Sequence, residues 1–272
     1  MSDKMANKPN GSLSKLELLR QNRGLKKPEV DVRKAIDGFA SSIDTNVMIA
    51  EIARNSAFIN FIIDCSGSTD GTSLPLSQEI NEFASRQAEK PYSTKLSLTL
   101  FDDDVYTLFS KLDAKSFSPI TPWTTYGGTN IYDAIISSIT PVLPSDANHK
   151  LHLIITDGQN GESAHSLEEV KALISNRIIA GEHVFLLYNE IENPYSQTSS
   201  KEYAASLGIK SNNAVNYNRN GDGIKIIFQA IEDLLDGIRT TGAIPDDWSK
   251  AISAHVANPL GVKAKETKFL SE

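Results

Sequence analysis

The sequence predicts an α/β protein, a Rossmann-like, doubly wound, mostly parallel sheet with one antiparallel edge strand and helices on both faces. Three observations carry this. Apolar runs without alternation, AFINFIID at 57–64 and KLHLIIT at 150–156, suit strands buried on both faces. Helical spacings alternate with such runs, which favours parallel pairing. One run, TKLSLTLF at 94–101, instead alternates Leu with polar residues, turns at the aspartates of 102–104 and returns as VYTLF, the signature of a hairpin.

The elements follow in chain order. After the 57–64 strand, Leu76, Ile80, Phe83 and Ala84 fall at helical spacing within 74–90. The hairpin comes next, then a Pro- and Thr-rich connection, SPITPWTTYGGTN, and a helix over 131–139. The 150–156 strand leads to a helix over 166–180, where Ser166 with Glu169 three residues on forms a capping pattern. A strand at 183–189, a helix at 199–208 closed by Gly208, a short strand at 214–218 and an amphipathic helix at 223–238 complete the series.

The chain divides into a basic N-terminal extension (1–50), a folded domain (51–240) and a C-terminal extension (241–272) that reads as a tail. Residues 1–34 carry nine Lys or Arg against four Asp or Glu, a net +5, and residues 241–272 balance at zero. With −7 overall, the body between them holds −12, which disfavours nucleic acid as a partner. The single cysteine, Cys65, cannot form an internal disulfide. The first residues lack a secretory pattern, and no run reaches the ~18 apolar residues of a membrane span. The expectation is a cytoplasmic protein, or a virion component if the source is a phage, with no membrane partner.

Two of the buried strands run straight into an acid, Asp64 and Asp157. In an open parallel sheet those ends share one edge, where ligands bind. A third loop, YGGTN, brings Thr129 after a glycine pair that lets backbone approach closely. Alternate residues of a tight loop point the same way, so Ser66 and Ser68 join Asp64 while Cys65 turns inward. The set is all oxygen, two carboxylates and three hydroxyls, which favours a hard cation: Mg²⁺ above all, with Mn²⁺ or Ca²⁺ as alternatives. Two carboxylates do not fully quench such an ion. It can accept a further anionic ligand, and a Glu or Asp of a protein partner has the right chemistry.

These segments, DCSGS (64–68), GGTNIYDAI (127–135) and ITDGQN (155–160), resemble the three motif segments of a von Willebrand factor type A domain. That family's metal-ion-dependent adhesion site reads Asp-x-Ser-x-Ser, then Thr, then Asp, and all five positions match. The resemblance covers about residues 55–240 and is nearest to standalone, non-secreted bacterial and phage members. It implies metal-mediated protein binding. Ser66 and Ser68 would coordinate directly, Asp64 directly or through water, and Thr129 and Asp157 would alternate between the two. Asp133, a helical turn after Thr129, would stand behind the ligands or merely cap.

Other readings fit less well. A haloacid-dehalogenase-type phosphotransferase wants an acid where Ser66 stands, and neither a G-x-S-x-G elbow nor a P-loop is present. An EF-hand fails at Thr69 and Pro75. A metal-dependent hydrolase would need a general base that the sequence does not nominate, so a non-enzyme is expected. An assembly subunit that self-associates is the other interaction reading. Asp102–Asp104 read as a tight turn and Asp70 as a solvated one. The five histidines read as surface or strand-end groups, and Trp123 and Tyr126 as partner contacts or packing.

Overall fold

The computed structural model describes residues 45, 47–158, 160–189 and 199–258, and the unit that carries the fold begins at Met48. The expected basic extension, up to residue 44, and the last fourteen residues, 259–272, lie outside the described residues. Among the described residues no helix is long and apolar enough to cross a membrane.

A six-stranded sheet runs in the order β3-β2-β1-β4-β5-β6. Its strands are β1 (Ala57–Asp64), β2 (Thr94–Phe101), β3 (Val105–Asp113), β4 (His149–Thr156), β5 (His183–Tyr188) and β6 (Ala214–Asn216). All pairings are parallel except β2 with β3, so the hairpin's second strand is the antiparallel edge. Every residue of β1 is buried, because helices cover both of its faces.

The faces divide by residue parity. Ile59, Phe61 and Ile63 join a core with α1 (Ser73–Glu89) and α5 (Gly221–Thr241). Phe61, Phe83 and Phe228 form its aromatic centre, with ring centroids 5.6–6.2 Å apart. Ile62 faces the other core, built on α2 (Ile131–Ile139), α3 (Leu167–Ile179) and α4 (Ser200–Ser206). The helix starts follow local chemistry. Ser166 with Glu169 and Ser199 with Glu202 form reciprocal capping boxes. Asn220 caps α5 by accepting from the Gly223 amide, and α5 ends at Gly242 with φ 73°.

Three expectations are corrected. The stretch after 241 is not all tail: α6 (Lys250–Ala257) folds back, and Trp248 and Ile252 are buried in the α1/α5 core. The Trp248 ring meets Phe185 edge-on at 5.0 Å, and its indole donates to the Asn212 carbonyl at 2.9 Å. Nor are the histidines all peripheral, for His152 and His255 are buried. β3 also extends four residues past the expected VYTLF, to Asp113.

Candidate metal centre

In this strand order the chain winds outward from β1 through β2 and, on the other side, through β4 and β5. The crevice between β1 and β4 is therefore the switch point, where an open α/β sheet binds its ligands. Asp64 ends β1, and Asp157 directly follows β4.

Asp64 is 1 % exposed. Its Oδ1 accepts from the Ser66 amide at 2.8 Å and its Oδ2 from the Thr156 hydroxyl at 2.5 Å. Burial outweighs those bonds and pushes its carboxyl up from 3.8 to about 6. An anion held there at neutral pH is short of positive charge. The Ser66 and Ser68 hydroxyls lie 3.1 Å apart, and Ser68 donates to Asp157 Oδ1 at 2.8 Å. Asp157 is itself 8 % exposed. Cys65 turns into the α1/α5 core as expected, and burial pushes its thiol up to about 12, which leaves it inert.

Thr129 arrives from the side. The Gly161 amide donates to its carbonyl at 2.7 Å, and Gly158 lies so close that a Cβ there would sit 3.2 Å from Thr129 Oγ1. The glycine pair before it has a physical reason. Gly127 has φ 76°, and a Cβ on either glycine would press on the Asp103 carboxylate, which accepts from the Gly128 amide at 2.9 Å. Asp102 accepts from the Asn130 amide through its carbonyl at 2.8 Å, and Asn130 donates its side chain to the Asp103 carbonyl at 2.7 Å. The aspartates of 102–104 thus form the expected turn and also hold the Thr129 loop.

The structure brings Asp64, Ser66, Ser68 and Asp157 into one hydrogen-bonded chain, with Thr129 against the glycine after Asp157. Asp133 reaches the loop that follows Asp157. Its carboxylate accepts from the Ala164 and His165 amides and meets the His165 ring at 2.8 Å. It anchors that loop, and these bonds hold its carboxyl low against the opposing effect of burial. Of the aromatics, Tyr126 is exposed on the rim and Trp123 packs against the core. Asp70 is exposed, as expected of a solvated turn.

Sequence reasoning missed Thr156 and Arg219, and gave Asp103 the turn but not its hold on the Thr129 loop. Thr156 carries a faint signal, a polar residue closing an apolar strand. Arg219 carries none. It lies far along the chain, yet its Nη1 is 3.8 Å from Asp157 Oδ2 and donates to the Ser68 carbonyl.

The donor set fits a hard dication. It offers two buried carboxylates and three hydroxyls, all oxygen, with one carboxylate poorly compensated. Among the described residues no group of three or more His, Cys, Asp or Glu is placed to hold a metal ion, so the hydroxyls are an essential part of the candidate donor set.

No protein-family model matches the chain, and no curated protein matches it. Solved structures do resemble it. Proximal thread matrix protein 1 from the mussel byssus is 18 % identical, with a TM-score of 0.49, covering 68 % of this chain and 46 % of its own. Another structure of that protein is described with a zinc-occupied MIDAS motif. The ArnB paralog VWA2 from Sulfolobus acidocaldarius is 15 % identical, with a TM-score of 0.42, covering 62 % of this chain and 44 % of its own. The manganese-loaded TRAP protein of Plasmodium vivax is 15 % identical, with a TM-score of 0.39, covering 50 % of this chain and 58 % of its own. The chain thus spans about half the length of these structures. At such values the likeness ends at the course of the chain, and the site stands on its own residues.

Proposed function

We propose that this protein is a von Willebrand A-type interaction module that holds Mg²⁺ at the β1/β4 crevice and binds a partner protein through an acidic side chain. The carrying observation is the chain of contacts from Asp64 through Ser66 and Ser68 to Asp157, at the switch point of the sheet. Asp64, Ser66, Ser68, Thr129 and Asp157 would hold the ion. When bound, it supplies a Lewis-acidic centre open to one more oxygen ligand.

The protein's own part is orientation. Asp64 receives two donors that fix its plane, and the Asp103–Gly128 bond fixes the Thr129 loop. Three neutral hydroxyls leave the ion enough charge to attract a carboxylate. The module is read as a binder: its carboxylates and hydroxyls serve the ion, and a partner's carboxylate takes the remaining position.

The test couples metal to capture. Wild type should take up Mn²⁺ in a calorimetric titration and retain a partner from lysate in Mg²⁺ that EDTA releases. Thr129→Ala and Asp64→Ala should lose both with the fold intact by circular dichroism. Capture indifferent to EDTA and to both substitutions would defeat the reading.

A further inference from the structure

The Arg219 guanidinium occupies a telling place. It sits 3.8 Å from one oxygen of Asp157 and is tied to the carbonyl of Ser68, so it touches two of the residues that would hold the ion. Its position is built. Asn220 beside it caps α5, and a Cβ on Gly223 would run into the Asn218 carbonyl, so the loop bearing Arg219 packs tightly on the helix start. The side chain itself is 30 % exposed, which leaves it room to swing outward.

Resting on the metal reading above, we infer that Arg219 is a resident cation that competes with the metal for Asp157 and sets the affinity of the site. With no dication, Asp157 is a buried carboxylate, and the guanidinium supplies the compensating charge. A dication arriving at the same carboxylate meets a like charge. The guanidinium must move away or be tolerated, and either costs metal affinity. The site is thereby tuned to load only where magnesium is plentiful.

Calorimetric titration of the full chain with Mn²⁺ alone tests this. Arg219→Gln should bind Mn²⁺ more tightly than wild type, by roughly three- to thirtyfold for a unit charge a few ångströms away in a partly screened setting. Arg219→Lys keeps the charge and should stay within about twofold of wild type on the same electrostatic argument. Lys210→Gln makes the same change in net charge beside His183, at the other end of the sheet, and should leave affinity unaltered. Affinity unchanged or weakened in a folded Arg219→Gln overturns the inference while leaving the metal reading standing. A wild type that takes up no Mn²⁺ overturns the metal reading, and this inference with it.

Discussion

The two ends of the sheet treat buried charge in opposite ways. At the amino end His152 is fully buried, with Nε2 2.9 Å from Glu182 Oε2 and Nδ1 3.2 Å from the Asn60 amide nitrogen. Asn60 can only donate there, so the ring is neutral and carries its proton on Nε2. Arg177 stands 3.4 Å from the other Glu182 oxygen and donates to the carbonyls of Ile139, Thr140 and Val142. Apart from Asn60 Oδ1 and Ser138 Oγ, the protein closes this network itself. At the carboxyl end Asp64 accepts from the Ser66 amide and the Thr156 hydroxyl, no ion pair to it is formed among the described residues, and burial drives its carboxyl up to about 6. Charge that the chain completes internally is structure. Charge that it leaves poorly compensated at a crevice is what the proposed ion would neutralise.

The largest expected effect breaks the closed end. Glu182→Ala strips the buried His152 of its acceptor and removes the buried carboxylate beside the half-buried Arg177 guanidinium. Removing one partner of such a pair costs about 3–5 kcal/mol, and urea denaturation should show it with the metal site unaltered. A loss under about 1 kcal/mol, the range of an exposed pair, would mean that this end is no more closed than the other.

The next prediction inverts the sign at the open end. In EDTA, Asp64→Asn should stabilise the protein near neutral pH. Between the ordinary carboxyl value of 3.8 and about 6 the folded chain keeps a proton that the unfolded chain has released. Wild-type stability from this group therefore falls as pH rises through that window, by up to about 3 kcal/mol, and is level above it. The variant's advantage should grow over the same window. The closed end slopes the other way. Burial lowers His152, and the His152 bond with the charges of Arg177 and Lys150 lowers Glu182 against its own burial. Stability from both is present at high pH and is lost as pH falls, first below 6.5 for the histidine and then below 4.5 for the acid. With Mg²⁺ at a hundred times its Kd, wild type gains about 2.7 kcal/mol that Asp64→Asn does not. Melting temperature against pH, with and without Mg²⁺, reads all three slopes. A wild type more stable than Asp64→Asn in EDTA at pH 7 would erase the comparison.

The two ends also differed in how far they could be read from sequence. The open end was nearly legible, since its residues interrupt a pattern: Asp64 and Asp157 end apolar strands, and Thr129 follows a glycine pair. Polar residues at such boundaries are visible because they break a periodicity. The closed end was invisible for the converse reason. Asn60 and His152 lie within apolar strands and meet only through register, as partners across β1 and β4. Glu182 and Arg177 join from a turn and a helix end, where charged residues are commonplace. Arg219 escaped on the same ground, as did α6, whose burial rests on Trp248 and Ile252 in a stretch of otherwise ordinary composition. Pattern reveals what a strand does at its end; pairing across strands and docking of a late helix belong to the tertiary structure.

The smallest effect probes how finely the open end is set. Gly158 has no positive φ that would forbid a side chain, so Ala is tolerable as backbone. Its Cβ would nonetheless stand 3.2 Å from Thr129 Oγ1 and 3.3 Å from Cγ2, tight enough that Thr129 must yield by a few tenths of an ångström. The Thr129 loop is held at both ends, by Asp103 through Gly128 and by the Gly161 amide, so the shift falls on the hydroxyl's aim. Gly158→Ala should then weaken Mn²⁺ binding by about tenfold, the lower range for residues that orient ligands from behind. The folding stability of the metal-free protein should change by less than about 1 kcal/mol, since nothing is buried or unpaired. Equal losses in both would mean that the glycine serves packing; a loss confined to the metal would mean that this end of the sheet is shaped for an ion.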